Sequence, residues 1–308
     1  MRFLVTGGAG FLGVALSNRL CREGHTVRVI DDLSAGNPDR LVEDVLFTRG
    51  DVLDRPKLWT MLQDIDCVYH LAARVQVSES ILYPRQYNEV NVGGTVSVME
   101  AMRDAGVQRV VLTSSGAVYG DQAEQPVQED CRPNPQSPYA VSKLAAEYYV
   151  RTIGALWGIE TVILRVFNAY GPGQRLPPSH PPVVPRFLKQ AEQGGSLVIF
   201  GGGGQTRDFV YVDDVVEALM ASATAPDVDR RIINVGTGRE TSINELASMA
   251  AETVGERADV LRSPAESGGV ARLCADIAAA RRLLGYDPRV ELREGLRRTV
   301  KGDPRFGA

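Results

Sequence analysis

The chain has 308 residues, with 34 lysines and arginines against 38 aspartates and glutamates, a formal net charge of -4, and 44% hydrophobic residues. That length buries a sizeable core in one large domain or two closely joined ones, and it excludes collagen-like, disordered and small disulfide-framework chains. The acidic balance gives no support to a nucleic-acid partner or to a membrane surface bound through bulk charge. Four widely spaced cysteines (Cys21, Cys67, Cys131, Cys274) form no Cys-x-x-Cys pair, and only three histidines are present. A reduced, cytoplasmic setting without a metal is the expectation. No uncharged apolar run makes a signal peptide near Met1 or reaches transmembrane length anywhere.

Short β-branched runs alternate with longer amphipathic ones through the first half, the pattern of βαβ units feeding a parallel sheet. Strands are predicted at Arg2–Thr6, Thr26–Ile30, Val45–Arg49, Cys67–His70, Val110–Thr113 and Thr161–Val166. Helices are predicted at Phe11–Arg22, Arg55–Gln63, Pro84–Ala105 (as one long element) and Pro138–Trp157. The last is well marked, with Ser137 placed to cap it, Pro138 at its first position and Gly158 just beyond its end. Six prolines between Gly171 and Pro185 then predict a long loop. A helix at Val183–Gln193, strands near Leu197–Phe200 and Phe209–Val212, and helices at Asp213–Ala221, Ile243–Thr253 and Asp276–Leu284 follow. Gly201–Gly204 reads as a turn.

The first strand runs into Thr6-Gly7-Gly8-Ala9-Gly10-Phe11-Leu12-Gly13, which opens a helix. Backbone N–H groups and the positive helix end there can face a phosphate. Asp31 closes the next strand 18 residues after Gly13, where a carboxylate can bind both hydroxyls of an adenosine ribose. A 2′-phosphate would be repelled, so NAD is expected rather than NADP.

Tyr139 and Lys143 lie four apart on one helix face. A neighbouring ammonium and a cationic nicotinamide both favour phenolate, so the pair can supply a proton acceptor. The stretch Leu112–Gly120 brings Ser114 and Ser115 to the carboxyl end of a predicted strand, the edge at which doubly wound sheets bind ligands.

Taken together, Thr6–Gly13, Asp31, His70-Leu71-Ala72-Ala73, Ser114–Gly120, Tyr139–Lys143 and Leu164–Pro172 stand in the order seen in extended short-chain dehydrogenases/reductases. Across essentially its whole length, the chain resembles the NAD-dependent nucleotide-sugar epimerase/dehydratase family and is most similar to UDP-glucose 4-epimerases. Later matches include Val198–Gly201, Thr206–Val215, Asn234–Thr237 and Ala275–Ile277. The resemblance implies a Rossmann-type doubly wound parallel sheet with a smaller, interleaved α/β substrate domain. Residues 1–167 and 211–237 would carry the cofactor, and residues 168–210 and 238–308 the nucleotide sugar.

By the same resemblance Gly7, Gly10, Phe11, Leu12 and Gly13 would hold the cofactor's pyrophosphate. Asp31 would hold its ribose, followed by Asp32, Leu33, Ser34 and Gly36; Asp51 and Val52 would meet the adenine. Leu71, Ala72 and Ala73 would lie along the cofactor, with Asn91 and Phe167 nearby. Ser115 matches the catalytic serine, with Ser114 as the alternative register, Tyr139 the base and Lys143 the lysine on the cofactor ribose. Asn168 and Arg207 match residues that hold uridine diphosphate, and Arg262 is a further phosphate candidate beside an insertion at Glu266–Gly269. A homodimer built on the Pro84–Ala105 and Pro138–Trp157 helices is also implied. The apolar stripe Leu144, Tyr148, Ile153 and Leu156 could face that partner or the subunit's own sheet.

Gly116 and Ala117 stand where sugar-nucleotide dehydratases carry an Asp-Glu pair and decarboxylases a glutamate. Neither residue can move a proton, and small residues there would leave room for a sugar to turn. The reading is therefore 4-epimerisation of a UDP-hexose, with UDP-glucose and UDP-galactose foremost. UDP-N-acetylglucosamine stays open because Leu273 stands at the family's gate position. UDP-glucuronate stays open through Arg74 or Arg186. A net ketosugar reductase and a catalytically silent nucleotide sensor are the remaining alternatives.

Overall fold

The structure is a computed structural model that describes residues 1–255, 259–264 and 269–306. The first half runs β1 (Arg2–Thr6), α1 (Phe11–Arg22), β2 (Thr26–Asp31), β3 (Leu46–Arg49), α2 (Arg55–Leu62), β4 (Cys67–His70), α3 (Val77–Leu82), α4 (Pro84–Asn88), α5 (Gly94–Ala105), β5 (Arg109–Ser115), α6 (Pro138–Trp157) and β6 (Glu160–Val166). Shorter strands follow: β7 (Asn168–Tyr170), β8 (Leu197–Phe200), β9 (Thr206–Arg207), β10 (Phe209–Tyr211), β11 (Arg231–Val235), β12 (Thr241–Ser242), β13 (Val260–Ser263) and β14 (Arg272–Leu273). They are interleaved with α7 (Val183–Glu192), α8 (Val212–Ser222), α9 (Ile243–Val254), α10 (Ala278–Leu284) and α11 (Leu292–Gly302).

Seven strands form one sheet in the order β11-β6-β5-β4-β1-β2-β3, with every neighbouring pair parallel. Successive side chains point to opposite faces of a strand, and here both faces are covered. Leu4, Val68, Val110, Leu112 and Ile163 join Leu58, Val98, Met102 and Val150 on the side of α2, α5 and α6. Phe3, Val5, Tyr69, Val111 and Leu164 join Leu16, Leu20, Val215 and Leu219 on the side of α1 and α8. Each fully buried aliphatic contributes roughly 1.5–3 kcal/mol, which is why these strands read as unbroken apolar runs. The chain leaves β1 toward β2 and β3, then returns to place β4 on the other side of β1. The crevice at that reversal is where doubly wound sheets bind ligands.

Helix α6 ends as its sequence predicts: the Ser137 hydroxyl accepts from the Ala140 amide at 3.2 Å, Pro138 is the first helical residue, and Gly158 adopts φ +70°. The single helix expected over Pro84–Ala105 is corrected. It is broken into α4 and α5 by a wide π turn at Glu89–Gly93. Apolar periodicity continues through that turn, so nothing in the sequence marks it; its effect is to aim Asn91 inward. Helices α3 and α11 are likewise present beyond the predicted set. Strand β11, within the Tyr211–Thr237 segment, pairs with β6 in the main sheet. Among the described residues no helix is long and apolar enough to cross a membrane, and no cluster of His, Cys, Asp and Glu has metal-binding geometry.

Candidate functional site

A cavity of about 780 Å³ opens at the carboxyl ends of β1, β2, β4, β5 and β6. Its floor is the turn between β1 and α1. Gly7 adopts φ +67°, and a Cβ there would lie 2.7 Å from the Ala72 backbone; a Cβ on Gly13 would lie 2.2 Å from the Gly7 carbonyl. Glycine lets strand, turn and helix close to this distance and leaves a backbone cradle with no side chain in it. Asp31, 8% exposed, accepts from the Ala9 amide at 3.1 Å through Oδ2 and from the Leu33 amide at 2.9 Å through Oδ1. Burial pushes its carboxyl up while those two N–H groups pull it down. One acceptor site remains on each oxygen for a vicinal diol, so the cradle and the carboxylate fit a dinucleotide with a free ribose.

From there the cavity runs past Asp51, Val52, Leu71, Ala72 and Ala73 to Ser115, Tyr139, Lys143 and Phe167. Asp32, Ser34 and Gly36 also line it. Leu33 stands just off the wall, held at φ +64°. Asn91, 2% exposed, acts one layer behind. Its Oδ1 accepts from the Arg74 amide, and its Nδ2 donates to the Arg74 carbonyl and to the Ser142 hydroxyl. This grip holds α6 and the cavity wall in register. His70 is similarly internal, between the Thr6 and Thr95 hydroxyls, and burial with the nearby Lys143 charge brings it down to about 3.

The two serines of β5 both line the cavity, and the strand's alternation sends their hydroxyls to different partners. Ser115 lies beside the Tyr139 phenol, and its own hydroxyl accepts from the Ala117 amide at 3.1 Å. The Ser114 hydroxyl instead donates to Glu147 Oε1 at 2.5 Å. Burial raises the Tyr139 phenol and the Ser115 contact lowers it. Lys143 sits one helical turn on, 5% exposed; burial brings it down to about 8, with the Glu147 charge opposing. Glu147 completes the stripe Tyr139–Lys143–Glu147 at four-residue spacing. A carboxylate two turns after Tyr139, on the face that also buries Lys143, is the signal that marks it.

Gly116 does not leave open space for a sugar as expected. A Cβ there would meet the Phe167 ring at 3.1 Å, so the small residue accommodates that ring. The nucleotide-end residues divide. Asn168 and Arg207 lie near one another, since the Asn168 amide donates to the carbonyl of Asp208, the residue after Arg207; neither lines the cavity, and Arg207 Nη1 donates to the Thr206 carbonyl at 2.7 Å. Asp208 anchors this corner by accepting from Thr237, Gly238 and Ala275. Arg262 is exposed and turned elsewhere, onto the Gly202 carbonyl and Asn244 Oδ1. That placement does not favour it as a phosphate ligand, since its donors are engaged by the glycine turn. Of the Glu266–Gly269 segment beside it, residues 266–268 lie outside the described residues. Four cavity residues with no sequence signal, Arg40, Gln174, Asp303 and Arg305, come from segments more than a hundred residues apart.

The family model for the NAD dependent epimerase/dehydratase family matches residues 3–236. The chain belongs to this family. Its cofactor is NAD, in keeping with the cradle and Asp31. The chain is 40% identical over 309 residues to a UDP-glucose 4-epimerase of Mycolicibacterium smegmatis, covering 98% of each protein. The crystal structure of a Thermotoga maritima UDP-glucose 4-epimerase with UDP-glucose superposes with a TM-score of 0.94 at 34% identity, covering 98% of both chains. A Bacillus cereus UDP-glucuronic acid 4-epimerase, solved with UDP-glucuronic acid and NAD, gives 0.90 at 34% identity, covering 97% of this chain and 98% of that one. Its relatives thus place the chain among the UDP-sugar 4-epimerases, enzymes of the isomerase type.

Proposed function

We propose that the protein inverts carbon 4 of a UDP-hexose, interconverting UDP-glucose and UDP-galactose. The observation that carries this is the Ser115–Tyr139–Lys143 group on the wall of the dinucleotide cavity, its tyrosine and lysine buried, with only Gly116 and Ala117 after Ser115 where elimination or decarboxylation would need another acid or base. Tyr139 takes the proton of the sugar's 4-hydroxyl and later returns it. Ser115 steadies the same oxygen through its hydroxyl, and Lys143 holds a positive charge beside the phenol. NAD, when bound, supplies the hydride acceptor and donor and a further positive charge favouring phenolate. Asn168 and Arg207 anchor the uridine diphosphate, which leaves the flat 4-keto sugar free to present its other face. In this reading residues 1–167 with 211–237 carry the cofactor, and 168–210 with 238–308 the nucleotide sugar.

The surroundings of Arg74 and Arg186, the two candidates for a uronate carboxylate, support a neutral sugar. Arg74 lines the cavity but is matched by Glu79 at 3.5 Å, which also accepts from the Tyr87 hydroxyl. Arg186 lies between the Phe187 and Phe200 rings and donates to the Val198 carbonyl, away from the cavity lining. Incubation with UDP-glucose, UDP-N-acetylglucosamine and UDP-glucuronate in separate reactions, scoring the 4-epimer of each, tests the proposal. UDP-galactose formed without net NAD consumption is the expected result; turnover of UDP-glucuronate alone would reject the neutral-sugar assignment. The reading includes a homodimer. Ile81 and Leu82 on α3, Tyr83 just after it, and Val141, Tyr148, Tyr149 and Leu156 on α6 give these adjacent helices an exposed apolar surface.

A further inference from the structure

Three segments far apart in the chain meet on one wall of the dinucleotide cavity. Arg40, in the loop after β2, lays its guanidinium on the turn that follows β7. Its Nη1 donates to the Gly173 carbonyl at 3.0 Å and its Nη2 to the Pro172 carbonyl at 3.2 Å. Gly173 adopts φ +78°, and a Cβ on it would lie 1.8 Å from Arg40 Nη2, so the guanidinium occupies the space any other residue would fill. The C-terminal segment grips the same turn from the other side. The Asp303 carboxylate, whose side chain is 1% exposed, accepts from the Gly173 amide at 2.6 Å and from Arg305 Nε and Nη2 at 2.9 and 2.6 Å. Arg305 Nη2 also donates to the Gln174 carbonyl at 2.6 Å. Beyond the turn, Lys189 donates to the Arg305 carbonyl, and Phe306 is buried in the main core.

These groups are part of the cavity and not a remote tether: Arg40, Gly173, Gln174, Asp303 and Arg305 line the same space as the glycine turn and Asp31. We propose that this junction is a cofactor clasp, in which the Asp303–Arg305 turn locks the Gly173 backbone against Arg40 and so walls the dinucleotide in between turnovers. The physical logic is cooperative. Asp303 satisfies two backbone amides, those of Gly173 and Arg305, and one guanidinium at once, and Arg305 bridges to the next carbonyl, so the wall opens only when several charge-assisted hydrogen bonds break together. An enzyme that returns hydride to the sugar it oxidised gains from such closure, because cofactor lost mid-cycle strands the oxidised sugar.

This inference rests on the proposed epimerisation and adds that NAD stays bound through turnover. The test measures release of radiolabelled NAD from the purified holoenzyme into excess unlabelled NAD, for the wild type, Asp303→Asn and Arg305→Met. Release is expected to quicken roughly tenfold or more in both variants, the size of a lost charged hydrogen bond, with the KM for UDP-sugar unchanged. Ser242→Ala, which removes the cap of α9 outside the cavity lining, is the control for general loosening and should release NAD as slowly as the wild type. Wild-type rates in both clasp variants, or equally fast release from Ser242→Ala at matched melting temperature, would overturn the clasp alone. A wild-type protein that sheds its NAD on desalting would overturn the resident-cofactor reading and the clasp with it.

Discussion

Glu147 on α6 and Arg165 on β6, each with a side chain 2% exposed, form a two-point ion pair, Nε to Oε1 at 2.9 Å and Nη2 to Oε2 at 2.7 Å. The pair ties the helix that carries Tyr139 and Lys143 to the strands that carry Ser115 and Phe167. Ser114, register partner of Arg165, adds its hydroxyl, and the Arg165 guanidinium stacks 4.6 Å above the Tyr119 ring. Removing one partner strands a buried charge. Arg165→Met is therefore expected to cost about 3–5 kcal/mol in chemical denaturation, while Glu147→Met with Arg165→Met loses far less. Equal losses in single and double variants would show that the pair is not the anchor.

Tyr139→Phe keeps the ring and deletes the hydroxyl that meets Ser115. Turnover of UDP-glucose should fall by about 10²–10⁴-fold, with NAD content of the purified protein unchanged. Near-wild-type turnover would remove Tyr139 as the base.

Lys143 links activity and stability to pH. Its folded value is brought down to about 8, below that of the unfolded chain. Between that value and the ordinary lysine range the unfolded state holds a proton the folded state has released, so stability contributed here rises with pH. Below about 8 both states are charged and the full cost of the buried ammonium is present. Lys143→Met should raise the apo melting temperature most below pH 8, with the gain shrinking toward pH 10. A gain that grows with pH would reverse the assignment.

The two arginines proposed for the nucleotide should separate cleanly. Arg207→Ala is expected to raise the KM for UDP-glucose by roughly tenfold to a hundredfold, the weight of charge-assisted bonds to phosphate. Arg262→Ala should change KM by less than about twofold. Michaelis constants measured side by side decide, and a larger effect at Arg262 would restore it as a phosphate ligand.

The exposed apolar surface of α3 and α6 predicts association. Sedimentation at micromolar concentration should give a dimer for the wild type and a monomer for Tyr148→Glu combined with Leu156→Glu, two exposed sites whose change leaves the core intact. A wild-type monomer would remove the homodimer from the proposal.

The sheet strands of the first half, the glycine turn, Asp31 and the ends of α6 were legible because each depends on residues close along the chain. A strand's alternation, a cap and a turn glycine carry their cause within a few positions. The π turn at Glu89–Gly93 was hidden, since its residues keep a helical pattern and only the need to seat Asn91 against Arg74 and Ser142 displaces them. Gly116 was read as space for a sugar because a sequence shows that a side chain is missing, not what fills the gap; Phe167 fills it. Arg207 and Arg262 look alike in sequence, and their different surroundings come from which carbonyls and acids the fold leaves beside each guanidinium.

By itself, then, the sequence determined the doubly wound sheet, the NAD cradle, and the identity and spacing of the serine, tyrosine and lysine at its mouth. Tertiary structure alone decided that the Ser114 hydroxyl is taken by Glu147, which charges are buried, and that Arg40, Gly173, Asp303 and Arg305 share one wall. The reason is physical: dehydration and contact between segments more than a hundred residues apart set those properties, and neither is encoded at any single position.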